Sequence, residues 1–320
     1  MKHITILALH HATLTSIDGA FQLLSRVNDF LVYQGKKPFY KIEIVGIHQT
    51  AKLNNGLYNI KVHQQLKNVK KTNLIIVPIT CGDFGETIKI NKPFTSWLID
   101  QYNKGAEIAS FCVGAFFLAS TGLLDNKECS THWAISDQFK KHYPKVKIVD
   151  EKIVTYDKGI YTSGGNYSFL NLLLYIIEKD LGKEVSILAS KMFEIEIDRK
   201  AQNEFFIFQG QKQHGDDAIK TIQDFIENNF SEDVNVNSLT KKFGIGRRTL
   251  ERKFKKLTGN SVFEYLQRVR VEAAKHQLEL STKTINEIVY EVGYLDVDAF
   301  RNVFRKYVGM SLGDYANKYR

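Results

Sequence analysis

The chain has 320 residues, 43% of them hydrophobic and 12% aromatic, enough apolar material for more than one core and too much for a disordered chain. Its 44 Lys and Arg against 35 Asp and Glu leave a net charge of +9, which suits a polyanionic partner without locating it. The three cysteines have no CxxC or CxxH spacing, which excludes a disulfide framework and a cysteine-based metal site and points to a reducing cytoplasm.

The first residues, MKHITILALHHATL, hold an apolar run too short for a secretory segment and no cleavage site, so neither export nor a membrane is expected. HITILALH, KIEIVGI, NLIIVP and EIASFC are short apolar, β-branched runs that predict strands. Residues 18–33 and 94–102 between them have helical periodicity. Strands alternating with helices predict a parallel sheet covered by helices on both faces. His10 and His11 follow the first strand and are expected in a loop.

Residues 107–124, EIASFCVGAFFLASTGLL, carry no charge from Ile108 to Leu124, yet seventeen residues broken by Gly114 and Gly122 are short for a membrane span. A buried strand turning sharply into a buried helix fits better. Such an elbow sets Cys112 at a helix N-terminus, where amide groups and the helix dipole favour a thiolate.

The elbow, the CSTHW ending at Trp133, the YTSGG before a long helix and the SIDGAF near the start resemble the ThiJ/PfpI superfamily. The resemblance covers residues 1–197 and implies a flavodoxin-like, class I glutamine-amidotransferase-like α/β fold. By position Cys112 matches the elbow cysteine of that superfamily, His132 the histidine of its THW motif, and Asp18 an acidic residue near the elbow of related hydratase-type enzymes. A glutaminase of this fold needs a late His-x-Glu pair, which His142, His214 and His276 do not supply. Where the superfamily has Pro-Gly-Gly after the third strand, this chain reads Pro78-Ile79-Thr80-Cys81-Gly82, displacing the glycine that helps form an oxyanion hole. No catalysis is expected, and Cys112, Asp18 and His132 are candidates for a vestigial site or a ligand pocket. The alternative is a cysteine-dependent hydratase or amidase carrying a DNA-binding domain. No cofactor and no metal are implied.

Residues 198–216 turn polar and are expected to connect two domains, with the FFIF patch, Phe205 to Phe208, docking on one of them. Residues 217–320 form the second domain. It contains one pattern twice, fifty residues apart: Leu250, Phe254, Gly259, Ser261 and Tyr265 fall on Phe300, Phe304, Gly309, Ser311 and Tyr315. In each copy a short helix with an apolar face (Leu239 and Phe243; Ile285, Ile288, Val289 and Val292) ends at a glycine, Gly244 or Gly293, before an amphipathic helix. Leu250, Phe254 and Leu257 form the buried stripe of the first such helix, and Phe300, Phe304 and Tyr307 that of the second. This all-α layout is two helix-turn-helix units, whose second helices suit a major groove. Ser261 with Glu264 and Thr284 with Glu287 have capping-box spacing. A stripe of Phe263, Leu266, Val269, Ala273 and Leu280 predicts a long helix joining the units.

RRTLERKFKKLTGNSVFEYLQRVRVEAAK and VGYLDVDAFRNVFRKYVGMSLGDY resemble, in order and spacing, the recognition segments of the AraC/XylS regulators, over residues 218–320. Thr240 and Val289 stand where small alanines are usual, and Val262 and Leu312 replace customary prolines. A ThiJ/PfpI-like domain fused to such a tail resembles the GlxA-type regulators, which implies double-stranded DNA, a small-molecule effector, a second copy of the chain and RNA polymerase as partners. Residues 241–256 hold eight Lys or Arg against Glu251, concentrating positive charge on the first unit. Outward position makes Arg248, Glu251, Arg252, Asp298, Arg301 and Asn302 the base-edge candidates, and Arg247, Lys255, Lys256, Arg305 and Lys306 the phosphate candidates. The two outward faces differ, which predicts an asymmetric half-site.

Overall fold

In the computed structural model, residues 1–197 and 201–320 are described, and residues 198–200 of the expected connector lie outside the described residues. The chain divides into two compact units, Met1–Gln202 and Asn203–Arg320. Among the described residues no helix is long and apolar enough to cross a membrane.

The first unit runs, in chain order, β1 (Lys2–Leu7), α1 (Leu14–Tyr33), β2 (Tyr40–Gly46), β3 (Thr50–Leu53), β4 (Tyr58–Lys61), β5 (Gln64–Gln65), β6 (Leu74–Val77), α2 (Phe84–Ile90), α3 (Lys92–Asn103), β7 (Glu107–Ser110), α4 (Gly114–Ala119), β8 (Glu128–Cys129), α5 (Ser136–His142), β9 (Lys147–Ile148), β10 (Val154–Asp157), β11 (Ile160–Ser163), α6 (Ser168–Leu181) and α7 (Lys183–Met192). The main sheet has the order β10-β11-β7-β6-β1-β2-β5. Its pairs are parallel except the antiparallel edge pair of β10 with β11. All four residues of β6 and of β11 are buried. Because successive strand residues point to opposite faces, both faces of the sheet are covered. The core order β2-β1-β6-β7-β11 is the flavodoxin-like one, with its switch point between β1 and β6.

The four strands and the two helices read from periodicity are all present, with α1 and α3 slightly longer than expected. The elbow helix is much shorter. α4 stops at Ala119, where the Ser120 and Thr121 hydroxyls turn back onto the carbonyls of Phe117 (2.7 Å) and Leu118 (2.6 Å), and Gly122 follows at φ 79°.

The second unit is all-α: α8 (Asp217–Asn228), α9 (Val236–Phe243), α10 (Arg247–Thr258), α11 (Val262–Leu280), α12 (Ile285–Glu291), α13 (Val297–Val308) and α14 (Leu312–Tyr319). The sequence repeat is repeated in space. Leu250 and Phe254 of α10, like Phe300 and Phe304 of α13, are fully buried. Gly259 and Gly309 both close their helices in the left-handed conformation, and Ser261 and Ser311 both cap the next helix by accepting from the amide three residues on. Tyr265 packs edge-on against Phe254 (5.2 Å) and Tyr315 against Phe304 (5.6 Å). Each tyrosine hydroxyl donates to a carboxylate at 2.5 Å, Glu227 in one copy and Glu279 in the other. Both predicted capping boxes form. Val262 and Leu312, in place of the customary prolines, are first helical residues that add their own apolar bodies to the cores.

The stripe expected on α11 is wrong in phase. Leu266 and Val269 are buried, but Phe263 and Leu280 are 63% and 73% exposed. The helix serves two cores in succession: Val262, Tyr265, Leu266 and Val269 belong to one, Val271, Ala274 and Leu278 to the other. A single stripe cannot describe a helix whose buried face turns along its length.

The FFIF patch is fastened within the second unit. Phe208 packs in the core around Tyr265, its amide donates to Glu272 (3.1 Å), and the buried Lys275 donates to the Phe206 carbonyl (2.5 Å). Arg268 lies over the rings of Phe206, Phe208 and Tyr307.

Candidate DNA interface and ligand site

Two helix-turn-helix units present α10 and α13. Asn235 and Ser238 form a capping box that starts α9, and Gly244 at φ 62° ends it. Gly246 then caps α10. In the second unit Gly293, at φ 88°, follows α12, and Asp296 caps α13 by accepting from the amides of Asp298 and Ala299. The buried stripes fix the rotation of both helices, so the opposite faces point outward.

All eleven candidates for DNA contact are exposed. They differ in what already holds them. Arg247 pairs with Glu251 (3.2 Å), Lys255 with Glu264 (3.1 Å) and Arg301 with Asp298 (2.9 Å). Lys306 lies over the Tyr307 ring at 5.1 Å. Arg248, Arg252, Lys256, Asn302 and Arg305 have no side-chain hydrogen bond or ion pair among the described residues. The exposed pairs are worth about 0–1 kcal/mol, so a phosphate can replace the carboxylate partner. α10 carries six basic residues against one acid, α13 three against one. Leu295, 95% exposed in the turn before α13, was not anticipated, because one apolar residue in a turn gives no periodic signal.

In the first unit the elbow is built from three loops. Cys112 sits at φ 50°, a left-handed conformation that costs a non-glycine residue about 1–3 kcal/mol and that neighbouring bonds must hold. Its amide donates to the Ser163 carbonyl (3.1 Å), and its carbonyl accepts from the Thr131 hydroxyl (3.0 Å). The thiol is buried. Burial pushes its pKa up to about 12, opposed only in part by the backbone amides of Val113 and His132 that face the sulfur.

The expected thiolate is therefore corrected: desolvation outweighs the amides at the start of a six-residue helix. His132 meets the sulfur through its backbone. Its Nδ1 accepts from the Ala134 amide (3.1 Å), and burial lowers its pKa. Asp18 is exposed on α1, and its carboxylate accepts from Gln22 at 3.5 Å, with no hydrogen bond or ion pair to Cys112 or His132 among the described residues. At the switch point the loops after β1 and β6 are stitched together. Thr13 donates to the Ile79 carbonyl and Cys81 to that of His11, both at 2.8 Å, while the Ile79 amide is taken by Ser16 Oγ (3.1 Å). His11 shares a hydrogen bond with Asn55 (2.7 Å). Among the described residues no cluster of three His, Cys, Asp or Glu side chains is placed to hold a metal ion.

Alkylation by iodoacetamide reads the Cys112 environment directly. At neutral pH a thiol of pKa about 12 is ionised on the order of 10³-fold less than one of pKa ~8.5. Cys112 should stay unmodified in the folded protein while the half-exposed Cys81 reacts. Because the unfolded thiol ionises first, the contribution of this burial to stability is complete below pH ~8.5 and is lost as pH rises toward about 12. Rapid labelling of Cys112 at neutral pH, located by peptide mass, contradicts the buried-thiol assignment.

One contributor was missed altogether. Gln202, only 1% exposed, reaches into the elbow region: its Oε1 accepts from the Gly165 amide (3.0 Å), and its Nε2 donates to the carbonyls of Thr131 (3.0 Å) and Asp150 (2.5 Å). In sequence it is one polar residue of a polar connector.

Comparison with known proteins gives two family matches, a DJ-1/PfpI family model over residues 32–179 and a helix-turn-helix domain model over residues 239–318. Relatives include the HTH-type transcriptional regulator GbdR of Pseudomonas aeruginosa, 26% identical over 233 residues (72% of this chain, 63% of GbdR). The HTH-type transcriptional regulator GlxA of Rhizobium meliloti is 24% identical over 210 residues (65% of this chain, 64% of GlxA). The matches thus span just under two thirds of the length of these two relatives. Among solved structures, Drosophila melanogaster DJ-1beta aligns with 61% of this chain and 98% of its own at TM-score 0.51 and 20% identity. An AraC family transcriptional regulator from Pseudomonas putida covers 60% of this chain and 100% of its own at TM-score 0.50 and 17% identity. These likenesses show the fold.

Proposed function

Since this chain joins a DJ-1/PfpI-family domain to an AraC-type helix-turn-helix domain, we propose that it is a transcription regulator that binds a specific double-stranded DNA site through α10 and α13. The observation that carries this is the duplicated unit itself. Each copy fixes its helix by a buried stripe and leaves basic and amide side chains outward, Arg248, Arg252 and Lys256 in one, Asn302 and Arg305 in the other. α11, with 19 residues at about 1.5 Å each, is a rigid spacer of about 28 Å, near the ~34 Å between successive major grooves. The names of GbdR and GlxA support the same reading.

The first unit acts here as a sensor and not as an enzyme. A thiol of pKa about 12, a His132 ring turned to the Ala134 amide and an Ile79 amide engaged by Ser16 support this reading, since they speak against an activated nucleophile and an oxyanion hole at the elbow. Three free thiols suit the cytoplasm. A homodimeric state and contact with RNA polymerase follow from the resemblance to GlxA-type regulators.

DNA affinity against salt tests the reading. Lys256→Ala, which removes an unpaired phosphate candidate, should weaken binding to all sequences alike and lower the slope of log K against log salt by about 0.9. An affinity indifferent to salt would sink the assignment of α10 to DNA.

A further inference from the structure

The side chain of Gln202 behaves as a bound ligand would. It is a primary carboxamide enclosed by backbone groups of three separate loops: one amide donor at Gly165, two carbonyl acceptors at Thr131 and Asp150. Both of its N–H groups and one of its two oxygen lone pairs are met. Gly164 makes room for it, since a Cβ there would lie 2.7–2.9 Å from the Gln202 carboxamide. The same pocket wall carries the elbow: Thr131 also holds the Cys112 carbonyl, and the His132 ring and the Gln202 oxygen both come within 4 Å of one point above Gly165. Gln202 is also the last residue of the first unit. Asn203 begins the second, and from there the chain is fastened by Glu204 to Lys318 (2.9 Å) and by the Phe206 carbonyl to Lys275.

We propose that the hollow over Gly164 and Gly165 is a recognition site for a primary carboxamide, and that Gln202 is its tethered occupant. A small molecule presenting a primary amide displaces the Gln202 side chain, which leaves residue 202 held to the first unit only through its amide on the Glu151 carbonyl (3.0 Å), and so loosens the covalent tether on which the DNA-binding unit is carried. The inference rests on the reading of the first unit as a sensor, and names its ligand class. The donor and acceptor pattern selects the amide: a carboxylate can accept from Gly165 but faces the Thr131 and Asp150 carbonyls without a proton to give. A tethered group competes at an effective concentration of about millimolar, so an effector must add contacts of its own, for which the half-buried His132 ring is at hand. It shifts the protein only by preferring the state in which Gln202 is out.

Gln202→Ala opens the site, and acetamide, the size of the missing carboxamide end, is the probe. With acetamide at about five times its dissociation constant, the unfolding midpoint of the first unit in the Gln202→Ala chain should rise by about 2–4 °C. Acetate should not reproduce the rise, and the wild-type chain should not show it. Gln202→Glu, which keeps the volume but sets a carboxylate against two carbonyls, is the second variant and should show the same acetamide-dependent rise. Equal shifts with acetamide and acetate, equal shifts in wild type and variants, or no shift in either variant overturn the site. Gln202→Ala, which has lost the tethered occupant for good, should itself differ from wild type in apparent DNA Kd by at least about fivefold, and acetamide should leave that Kd unchanged; a wild-type Kd in the variant beside a clear midpoint shift overturns the coupling and keeps the site. Failure of every chain, wild type included, to bind DNA overturns the regulator reading and leaves the midpoint result standing.

Discussion

Gly293→Ala should destabilise the second unit by about 2–5 kcal/mol, whereas the same change at Gly244 should cost only about 1–2 kcal/mol. The two glycines occupy equivalent turns, and both have left-handed backbones, at φ 88° and 62°. An alanine pays a conformational penalty at each, within the narrow left-handed region at Gly244 and beyond its edge at Gly293. Their surroundings differ. A Cβ on Gly244 meets nothing within 4 Å, while one on Gly293 lies 2.5 Å from the Ser231 carbonyl oxygen and 2.9 Å from its carbon. That carbonyl is backbone and cannot swing aside. The neighbouring chain is held as well, since Arg270 donates to the carbonyls of Phe230 (2.7 Å) and Glu232 (2.9 Å). The second helix-turn-helix is thus seated on the α8–α9 loop through a contact that only glycine allows. Denaturant unfolding of the full chain, followed by far-ultraviolet dichroism, measures both variants. Equal losses at the two positions would show that the Ser231 contact contributes nothing.

Replacing Arg248 and Arg252 together by alanine should remove about 2–6 kcal/mol of specific DNA binding, each arginine contributing about 1–3 kcal/mol if it grips a guanine edge in bidentate fashion. The two stand one turn apart on the outward face of α10, exposed and without a partner to give up. Their neighbours Arg247 and Glu251 are tied to each other, so the loss should fall on the two free guanidinium groups. Binding at fixed salt to a selected site and to its base-substituted variants separates the outcomes. Reduced discrimination supports base reading. A uniform loss across all sequences moves both residues to the phosphates, and no loss removes α10 from the interface.

What the sequence showed depended on how local the physics is. The strands, the elbow and the two capping boxes are set by residues within a few positions of each other, and all appear where periodicity and spacing place them. The repeat exposed Phe254 and Phe304 as core because two copies make the same demand. Features that need the tertiary environment were hidden. The thiol of Cys112 is governed by burial among loops 19 and 51 residues away, not by the helix it precedes. The face of α11 changes because two cores claim it in turn. Gln202 meets partners 37, 52 and 71 residues distant, a pairing no local pattern announces.

The division of α11 between two cores has a thermodynamic meaning. Each half-core, one around Phe254 and Tyr265, the other around Phe304 and Tyr315, is too small to be stable alone, and each needs its half of the same helix. Phe230 is packed against both. Unravelling either end of α11 removes the wall of one half-core and leaves the other with its segment of helix but without its neighbour, so opening by halves is a costly, sparsely populated step toward opening all at once. The helix is then the element that makes two weak folding units into one cooperative domain. In the proposed complex, a duplex holding both outward faces would close off that partial opening.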